Sequence, residues 1–289
     1  MEHRNLSAFA TKTERRRGSS TGDYIETDDG TLLAVRDWGQ GAPIVFLAAW
    51  ACPSDMWSYQ MTPLAEAGFR CIAYDRRGHG RSSAPGGGYD LDTLAGDLGG
   101  VIAALDLSDV TLVGHSSASG EIVRHLTLHG SRRISRIVFS GPGLPYCTKS
   151  ADNPDGIPAE ALEAFRRTML LRDFPGWLEE GKAAFFTAET SLSMQDWFKG
   201  LMLTTSMQAA IGFNRAITSA DLRPEMARID LPTLVIHGDK DASNPLAAGR
   251  QVAALIAGAR LSVYEGAPHG LFITHAERYN AELAGFAKE

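Results

Sequence analysis

The chain has 289 residues, of which 44% are hydrophobic and 21% charged, a balance typical of a globular protein. Its net charge of -6 and isoelectric point near 5.8 argue against a surface that binds nucleic acid or anionic membranes. No apolar run approaches the roughly 18 residues of a membrane span. The three cysteines, Cys52, Cys71 and Cys147, have neither metal-ligand nor disulfide spacing, so we expect a cytoplasmic protein.

The first 21 residues differ in composition from the rest of the chain. Three arginines, Arg15 to Arg17, are followed by small polar residues rather than by the apolar stretch of an export signal. We therefore predict a flexible N-terminal tail over residues 1–21.

The first half of the chain alternates between strand and helix patterns. Asp28-Asp29-Gly30 is a hairpin turn signal between the first two strands. Strands are predicted at 24–27, 32–38, 43–47, 70–74, 110–113 and 134–140, and helices at 57–67, 90–105 and 121–129.

The alternation stops after residue 143 and resumes near residue 227. The intervening residues, 144–226, are helical in pattern and rich in Met, Phe and Trp. Beyond them we predict strands at 233–237 and 260–264, a helix at 245–256 and a final helix to about residue 287.

This order predicts an α/β fold, a mostly parallel central sheet with helices on both faces. Residues 22–143 and 227–289 form the predicted core. Residues 144–226 form a helical cap inserted after the sixth strand, at the carboxyl ends of the strands, where ligands bind in open α/β sheets.

A serine stands at the turn between a predicted strand and the helix after it. Ser116 follows Gly114 by two positions and precedes Ala118 by two. On such a turn the serine Oγ projects above the sheet, and small residues on either side let strand and helix backbones approach closely. Alanine at 118 is a mild departure from the usual glycine. Ser116 is therefore the predicted nucleophile.

A serine nucleophile needs a base, and the base needs an orienting acid. Among the histidines, His269, in a loop after the last strand, is the preferred base, and His237, at a strand end, is the alternative. Among the carboxylates between them, Asp241 is the preferred acid and Asp239 the alternative, which gives the chain order Ser, Asp, His typical of hydrolases with this sheet.

The oxyanion of the transition state needs backbone donors. We expect them from the N–H of Ser117, at the start of the nucleophile helix, and from the N–H of Trp50, in the loop after the third strand. The Trp50 side chain is expected either to line the pocket or to pack in the core.

Residues expected near the substrate come from the oxyanion loop, the cap and the base loop. The predicted pocket residues are Ala48, Ala49, Cys52, Leu144, Phe165, Met169, Trp197 and Leu271. Apolar side chains dominate this set and favour apolar acyl or aryl groups.

Two further clusters carry weaker signals. Arg76, Arg77 and Arg81 lie in a glycine-rich loop that lacks the lysine and hydroxyl pair of a phosphate loop, so they are expected to pair with carboxylates or carbonyls. His125 and His129 lie four apart on one helix but have no supporting ligand, so no metal site is predicted.

In several of its motifs the chain resembles the α/β-hydrolase superfamily and, within it, the cofactor-free (non-haem) chloroperoxidase and aryl esterase family. The resemblance runs from about Tyr24 to the end. It is carried by Asp55-Met56-Trp57, Tyr74-Asp75-Arg76-Arg77-Gly78-His79-Gly80-Arg81-Ser82, Val113-Gly114-His115-Ser116, Leu222-Arg223-Pro224-Glu225-Met226, Ile236-His237-Gly238-Asp239-Lys240-Asp241 and Ala267-Pro268-His269-Gly270.

The resemblance implies an enzyme without a cofactor that hydrolyses carboxylic esters, with peracid formation and halogenation in some family members. It implies Ser116, Asp241 and His269 as the triad, with Trp50 and Ser117 as backbone donors. The expected partner is a small ester or lactone, with no nucleic acid and no membrane, and the sequence is compatible with a homo-oligomer.

Two departures from the family lie beside the reacting carbonyl. Ala48-Ala49 replace its His-Gly, and Ser117-Ala118-Ser119 replace its Met-Gly-Gly. Alanine at the glycine position, Ala49, adopts positive φ only at a cost, so the oxyanion donor is expected to be displaced. Two alternatives therefore stay open: a hydrolase-fold protein that binds a ligand with weak turnover, and a cofactor-free oxygenase or lyase that uses His269 as base.

Overall fold

The computed structural model describes residues 23–289, which form one central sheet enclosed by helices. The predicted tail lies outside the described residues. The strands are β1 (Asp23–Glu26), β2 (Leu32–Gly39), β3 (Pro43–Leu47), β4 (Arg70–Tyr74), β5 (Val110–His115), β6 (Ile134–Ser140), β7 (Thr233–Gly238) and β8 (Arg260–Tyr264).

The sheet has eight strands in the order β1-β2-β4-β3-β5-β6-β7-β8. The hairpin strands β1 and β2 are antiparallel to their neighbours, and the pairs from β4 to β8 are all parallel. The nucleophile strand β5 lies between β3 and β6, so the loops that follow these three strands meet at one edge. The prediction of a mostly parallel sheet is confirmed.

Helices connect the strands and form the cap. They are α1 (Ser58–Glu66), α2 (Leu91–Ala104), α3 (Ala118–His129), α4 (Ala159–Phe165), α5 (Leu171–Gly181), α6 (Leu192–Met202), α7 (Met207–Ser219), α8 (Arg223–Met226), α9 (Leu246–Leu255), α10 (Leu271–Thr274) and α11 (Ala276–Phe286). Short 3-10 turns at Ser54–Trp57 and Lys182–Phe185 and a π-turn at Arg166–Leu170 complete them.

Both faces of the sheet are buried at its centre, which is why the central strand β3 is apolar throughout. Val45 and Leu47 of β3 face a cluster that contains residues of α2, α3 and α9. Ile44 and Phe46, one position out of step, face a second cluster with residues of α1 and α11. Helices therefore cover both faces, as predicted.

The helical part of the cap region begins later than predicted. Residues 144–158 form no helix; they are held by bridges between Thr148 and Ile157 and between Ser150 and Asn153. Three prolines, at 145, 154 and 158, break any helix there because each lacks an N–H donor. The first cap helix, α4, follows directly after the third of these prolines.

The C-terminal segment is two helices rather than one. His275, with φ of -127°, separates α10 from α11. At the nucleophile, α3 begins at Ala118, three residues earlier than predicted. None of the helices formed by residues 23–289 is long and apolar enough to span a lipid bilayer.

Two buried histidines couple the stability of this fold to pH. Burial lowers the pKa of His125 on α3 to about 4 and that of His79 to about 3, with the charge of Arg76 adding to the effect at His79. In the unfolded chain a histidine takes up its proton near pH 6.5. The folded state therefore binds fewer protons than the unfolded state below that pH, and stability falls as the pH is lowered from 6.5 towards 4.

Replacing His125 with glutamine is expected to flatten this pH dependence. The contribution of His125 is on the order of 3 kcal/mol at pH 4 and vanishes above pH 6.5. Urea unfolding of wild type and His125→Gln at pH 7 and pH 4 measures it. A variant that loses as much stability as wild type between the two pH values would contradict the assignment.

Candidate active site

The strand-to-helix turn holds Ser116 in a strained conformation at the end of β5. Its φ is +58°, a left-handed value that is uncommon for a residue with a side chain, and its N–H donates to the Ser140 carbonyl of β6 at 2.8 Å. A Cβ at Gly114 would lie 2.7 Å from the Ile122 side chain and 3.3 Å from the Ala118 backbone. Glycine at 114 and a small residue at 118 are therefore what allow α3 to start so close to the strand.

An acid and a base meet on the neighbouring loops. Asp241 follows β7, His269 follows β8, and the imidazole Nδ1 lies 2.6 Å from the Asp241 Oδ2. Both side chains are buried. Because an ionised carboxylate only accepts, Nδ1 carries the proton and the His269 Nε2 keeps its lone pair.

The second oxygen of Asp241 fixes the carboxylate in place. Its Oδ1 accepts the backbone N–H groups of Ser243 at 2.9 Å and Asn244 at 2.7 Å. These backbone donors and the His269 ring N–H all donate to the carboxylate, which orients the acid before any substrate arrives.

The two alternatives to this pair have other roles. Asp239 is exposed and accepts the N–H of Gly266 at 2.7 Å, which joins the loop after β7 to the loop after β8. His237 is buried and donates from Nε2 to the Asn244 carbonyl at 2.7 Å, with Asp241 Oδ2 at 3.5 Å. Burial lowers the pKa of His237, so it packs as a neutral imidazole behind the acid.

Asn244 contacts the nucleophile directly. Its Nδ2 donates to the Ser116 Oγ at 3.1 Å and to the Gly141 carbonyl at 2.9 Å. Since a carbonyl only accepts, the contact with Gly141 fixes which branch of the amide is the nitrogen. Within residues 23–289 no hydrogen bond joins Ser116 Oγ to His269, and such bonds often tighten only once substrate is bound.

Two backbone N–H groups beside Ser116 are left without a partner. Neither Trp50 nor Ser117 donates its backbone N–H to another residue in the described part of the chain, and both residues line the cavity above Ser116. Free backbone donors at the amino end of a helix and in a facing loop are the usual components of an oxyanion hole.

The strain in the oxyanion loop is not where the sequence predicted it. Ala49 has no positive φ; Ala51 has one, at +58°, in the turn closed by Cys52 N–H and the Ala49 carbonyl at 3.1 Å. In this turn the third position, rather than the first, requires the left-handed conformation. Ala49 therefore replaces glycine without backbone strain.

A buried ion pair between Arg76 and Glu121 anchors the oxyanion loop. Arg76 donates to Glu121 of α3 at 2.9 Å, to the Ala48 carbonyl at 2.8 Å and to the Ala49 carbonyl at 3.4 Å. Arg77 and Arg81 also pair with carboxylates, those of Asp97 and Asp75, as the sequence suggested.

A cavity of about 470 Å³ opens above Ser116, between the sheet edge and the cap. It is lined by Ser116, His269, Trp50 and Ser117 of the predicted machinery and by Ala49, Cys52, Leu144 and Phe165 of the predicted pocket. The Trp50 side chain does both things expected of it: it lines the cavity and packs against hydrophobic clusters of the core. Its indole N–H also donates to the Ala210 carbonyl of α7 at 2.7 Å.

Four predicted pocket residues lie elsewhere. Ala48 and Leu271 are buried in the core behind the wall, at 2% and 0% exposure. Met169, in the π-turn, is 40% exposed on the cap surface, whereas Arg166 and Leu170 are the buried residues of that turn. Trp197 packs against Tyr59, at 5.7 Å between ring centroids.

Sequence reasoning missed Asn244 and Phe185. Asn244 directly follows the acid loop, so its place at the sheet edge was a usable signal. Phe185 of the cap lies edge-on to His269 at 5.1 Å, and its carbonyl accepts the Gly270 N–H at 2.8 Å. Nothing in the sequence marks that contact, because it joins residues 85 positions apart whose pairing depends on how the cap docks.

Two further histidines, His115 and His125, are buried packing groups. His115 is buried, bonds Ser140 Oγ at 3.0 Å and has its pKa held well below the usual range by burial. His125 contacts the Ala95 carbonyl at 3.1 Å and packs against His129. In residues 23–289 no three His, Cys, Asp or Glu side chains are arranged to hold a metal ion.

Comparison with known proteins places the chain among hydrolases. The family of the alpha/beta hydrolase fold matches residues 42–276. A protein named non-heme haloperoxidase from Rhodococcus erythropolis is 37% identical over 270 residues, which cover 91% of this chain and 98% of that protein. A bifunctional esterase/perhydrolase from Acinetobacter calcoaceticus is 30% identical over 274 residues, covering 92% of this chain and 99% of that one.

Solved structures agree with this grouping. An esterase from Exiguobacterium antarcticum superposes with a TM-score of 0.89 at 34% identity, covering 93% of this chain and all of that one. The chain belongs to the α/β-hydrolase family, and its similarity to non-haem haloperoxidases extends over nearly its whole length.

Proposed function

We propose that this protein is a serine hydrolase that cleaves carboxylic esters or lactones through an acyl-enzyme on Ser116. The observation that carries the proposal is the Asp241–His269 pair at 2.6 Å, which lies with Ser116 at one sheet edge. The cavity above them is mostly apolar and contains two free backbone N–H groups. The esterase and esterase/perhydrolase among its relatives support the same reading.

The geometry suggests a role for each group. Ser116 Oγ attacks the ester carbonyl while His269 Nε2 takes its proton, and the proton then passes to the departing alkoxide. Asp241 holds the imidazole with Nδ1 protonated. The N–H groups of Trp50 and Ser117 bind the oxyanion, and water, deprotonated by His269, releases the acid and frees Ser116.

Perhydrolysis is the second activity we propose for the same site. Hydrogen peroxide in place of water would attack the acyl-enzyme and release a peracid, with the same proton transfer to His269. The support is the relative named as both esterase and perhydrolase. Peracid formation from an acetate ester and peroxide, measured against hydrolysis in the same tube, tests it.

The test of the hydrolase itself is covalent labelling combined with a burst assay. We expect a fluorophosphonate to modify Ser116, as read by peptide mass spectrometry, and a short-chain p-nitrophenyl ester to give a burst of nitrophenol followed by steady turnover. Ser116→Ala should abolish both. Ser119→Ala is the matched control, because the Ser119 hydroxyl donates to the Ser116 main-chain carbonyl at 2.7 Å and forms no hydrogen bond with His269. In this variant Ser116 should still be labelled.

Two results would favour the alternatives. Folded protein that is neither labelled nor active on esters or lactones would support a ligand-binding role. Turnover that survives in Ser116→Ala would support chemistry in which His269 acts as base without an acyl-enzyme, as in a cofactor-free oxygenase or lyase.

A further inference from the structure

The side-chain amide nitrogen of Asn214, on the cap side of the cavity, has no hydrogen-bond acceptor in the described part of the chain. Asn214 of α7 lines the cavity, and its carboxamide oxygen accepts a hydrogen bond from Arg166 Nη1 at 3.1 Å. Because a guanidinium only donates, this contact fixes the oxygen towards Arg166. The amide nitrogen donates to no other residue in 23–289 and is not sealed from solvent, so its N–H groups are available in the cavity.

The support beneath Asn214 is rigid. Arg166 is 5% exposed and is held by Glu163, with 3.0 Å between Nε and the carboxylate. It also donates to the Thr218 hydroxyl at 3.2 Å, and that hydroxyl donates to the Asn214 main-chain carbonyl at 2.8 Å. The amide is therefore oriented before a ligand binds, which reduces the entropy lost on binding.

The cavity that Asn214 lines is mostly apolar. Its apolar side chains from the cap and the adjoining loops include Leu144, Phe165, Trp177, Leu178, Ile217 and Leu222. One oriented donor in such a wall is the usual arrangement by which an apolar pocket distinguishes between ligands of similar shape.

The charges near the cavity are already paired. Lys182 contacts Glu179 at 2.6 Å and Asp196 at 2.8 Å, and Lys199 contacts Glu179. A ligand carboxylate would have to compete with these acids. The unpaired Asn214 amide N–H is instead suited to donate a hydrogen bond to an uncharged oxygen atom of the ligand.

We infer that Asn214 is a specificity-determining residue that binds a neutral hydrogen-bond acceptor, a ketone, amide or ether oxygen, carried by the ester substrate away from its scissile carbonyl. The inference rests on the proposed function, which places the scissile carbonyl at Ser116. The remote oxygen accepts from Asn214 Nδ2 while the rest of the chain fills the apolar wall.

The experiment compares matched substrates that differ at one position near the chain end, where a methylene is replaced by a ketone or by a hydroxyl. One series carries the change in the acyl chain of a methyl ester, and the other carries it in the alcohol of an acetate ester. We expect wild type to prefer the ketone over the methylene in at least one series by about three- to tenfold in kcat/KM, the effect of one hydrogen bond.

The decisive variant is Asn214→Asp. It keeps an oxygen facing Arg166, so the support is retained, but it turns the cavity-facing donor into an acceptor. The preference should invert, with the hydroxyl substrate now favoured over the ketone. Asn280→Asp on α11 makes the same charge change at a remote asparagine that contacts the Tyr59 carbonyl, and it should keep the wild-type preference.

A ketone preference that is absent from wild type in both series, or that is equal in Asn214→Asp and Asn280→Asp, would overturn the inference. Turnover of the plain methylene esters tests the proposed function separately. If no ester is cleaved, binding of the corresponding N-methyl amides, followed by the fluorescence of Trp50 and Trp177 in the cavity wall, gives the same ratios without catalysis. A ketone preference in binding that inverts in Asn214→Asp would support the subsite even then.

Discussion

Asp241→Asn is expected to lower kcat for a p-nitrophenyl ester by about 10⁴-fold while the protein stays folded. Two backbone N–H groups, of Ser243 and Asn244, converge on one oxygen of this side chain. An amide at 241 would place its own oxygen there, which leaves its NH₂ facing His269. The imidazole would then accept at Nδ1 and carry its proton on Nε2, so it could no longer take the Ser116 proton.

The matched control is Asp239→Asn, two residues away on the same loop. That carboxylate is exposed and accepts only the Gly266 N–H, so we expect kcat within about twofold of wild type, as for most surface changes. Steady-state kinetics on both variants, with thermal unfolding to verify folding, give the comparison. Loss of activity in Asp239→Asn but not in Asp241→Asn would reverse the choice of acid.

Prediction from sequence works best for features that depend on residues close together in the chain, such as the bounds of the strands. The strands β3, β4, β6 and β8 have the predicted bounds, because a local run of apolar and β-branched residues marks each of them. The alternation of strand and helix also fixes the side of the sheet on which the loops meet.

Prediction fails where distant residues decide the outcome. The positive φ of Ala51 depends on a turn whose shape is set by the anchoring of the whole loop. The sequence alone predicts the backbone strain at Ala49 instead. The exposure of Met169 and the burial of Leu271 depend on how the cap packs, which no periodicity encodes. The orientation of the Asn214 amide depends on Arg166, 48 residues away in the chain.

The second large effect is expected at Arg76, which joins the oxyanion loop to the nucleophile helix. Its guanidinium and the Glu121 carboxylate are both buried, at 2% and 0% exposure, and the ring of Phe213 lies over the guanidinium at 4.4 Å. Burial raises the pKa of Glu121, and the charge of Arg76 opposes that rise. Removing either partner therefore leaves the other charge buried and unpaired.

Arg76→Met is expected to destabilise the fold by about 3–5 kcal/mol, because Glu121 loses its counter-charge and the carbonyls of Ala48 and Ala49 lose their donor. Urea unfolding at pH 7 measures the change. The double variant Arg76→Met/Glu121→Gln removes the stranded charge and should recover part of the lost stability.

The double variant also separates stability from catalysis. Its oxyanion loop still lacks the two hydrogen bonds from Arg76, so the Trp50 N–H is less well fixed against the developing oxyanion. Loss of one such donor costs about 2.7–4 kcal/mol of transition-state stabilisation, so we expect a kcat loss approaching 10²-fold with KM nearly unchanged. Full kcat in a folded double variant would mean that Arg76 stabilises the fold but does not position the loop, and that Ser117 and the turn at Ala51 hold the oxyanion hole by themselves.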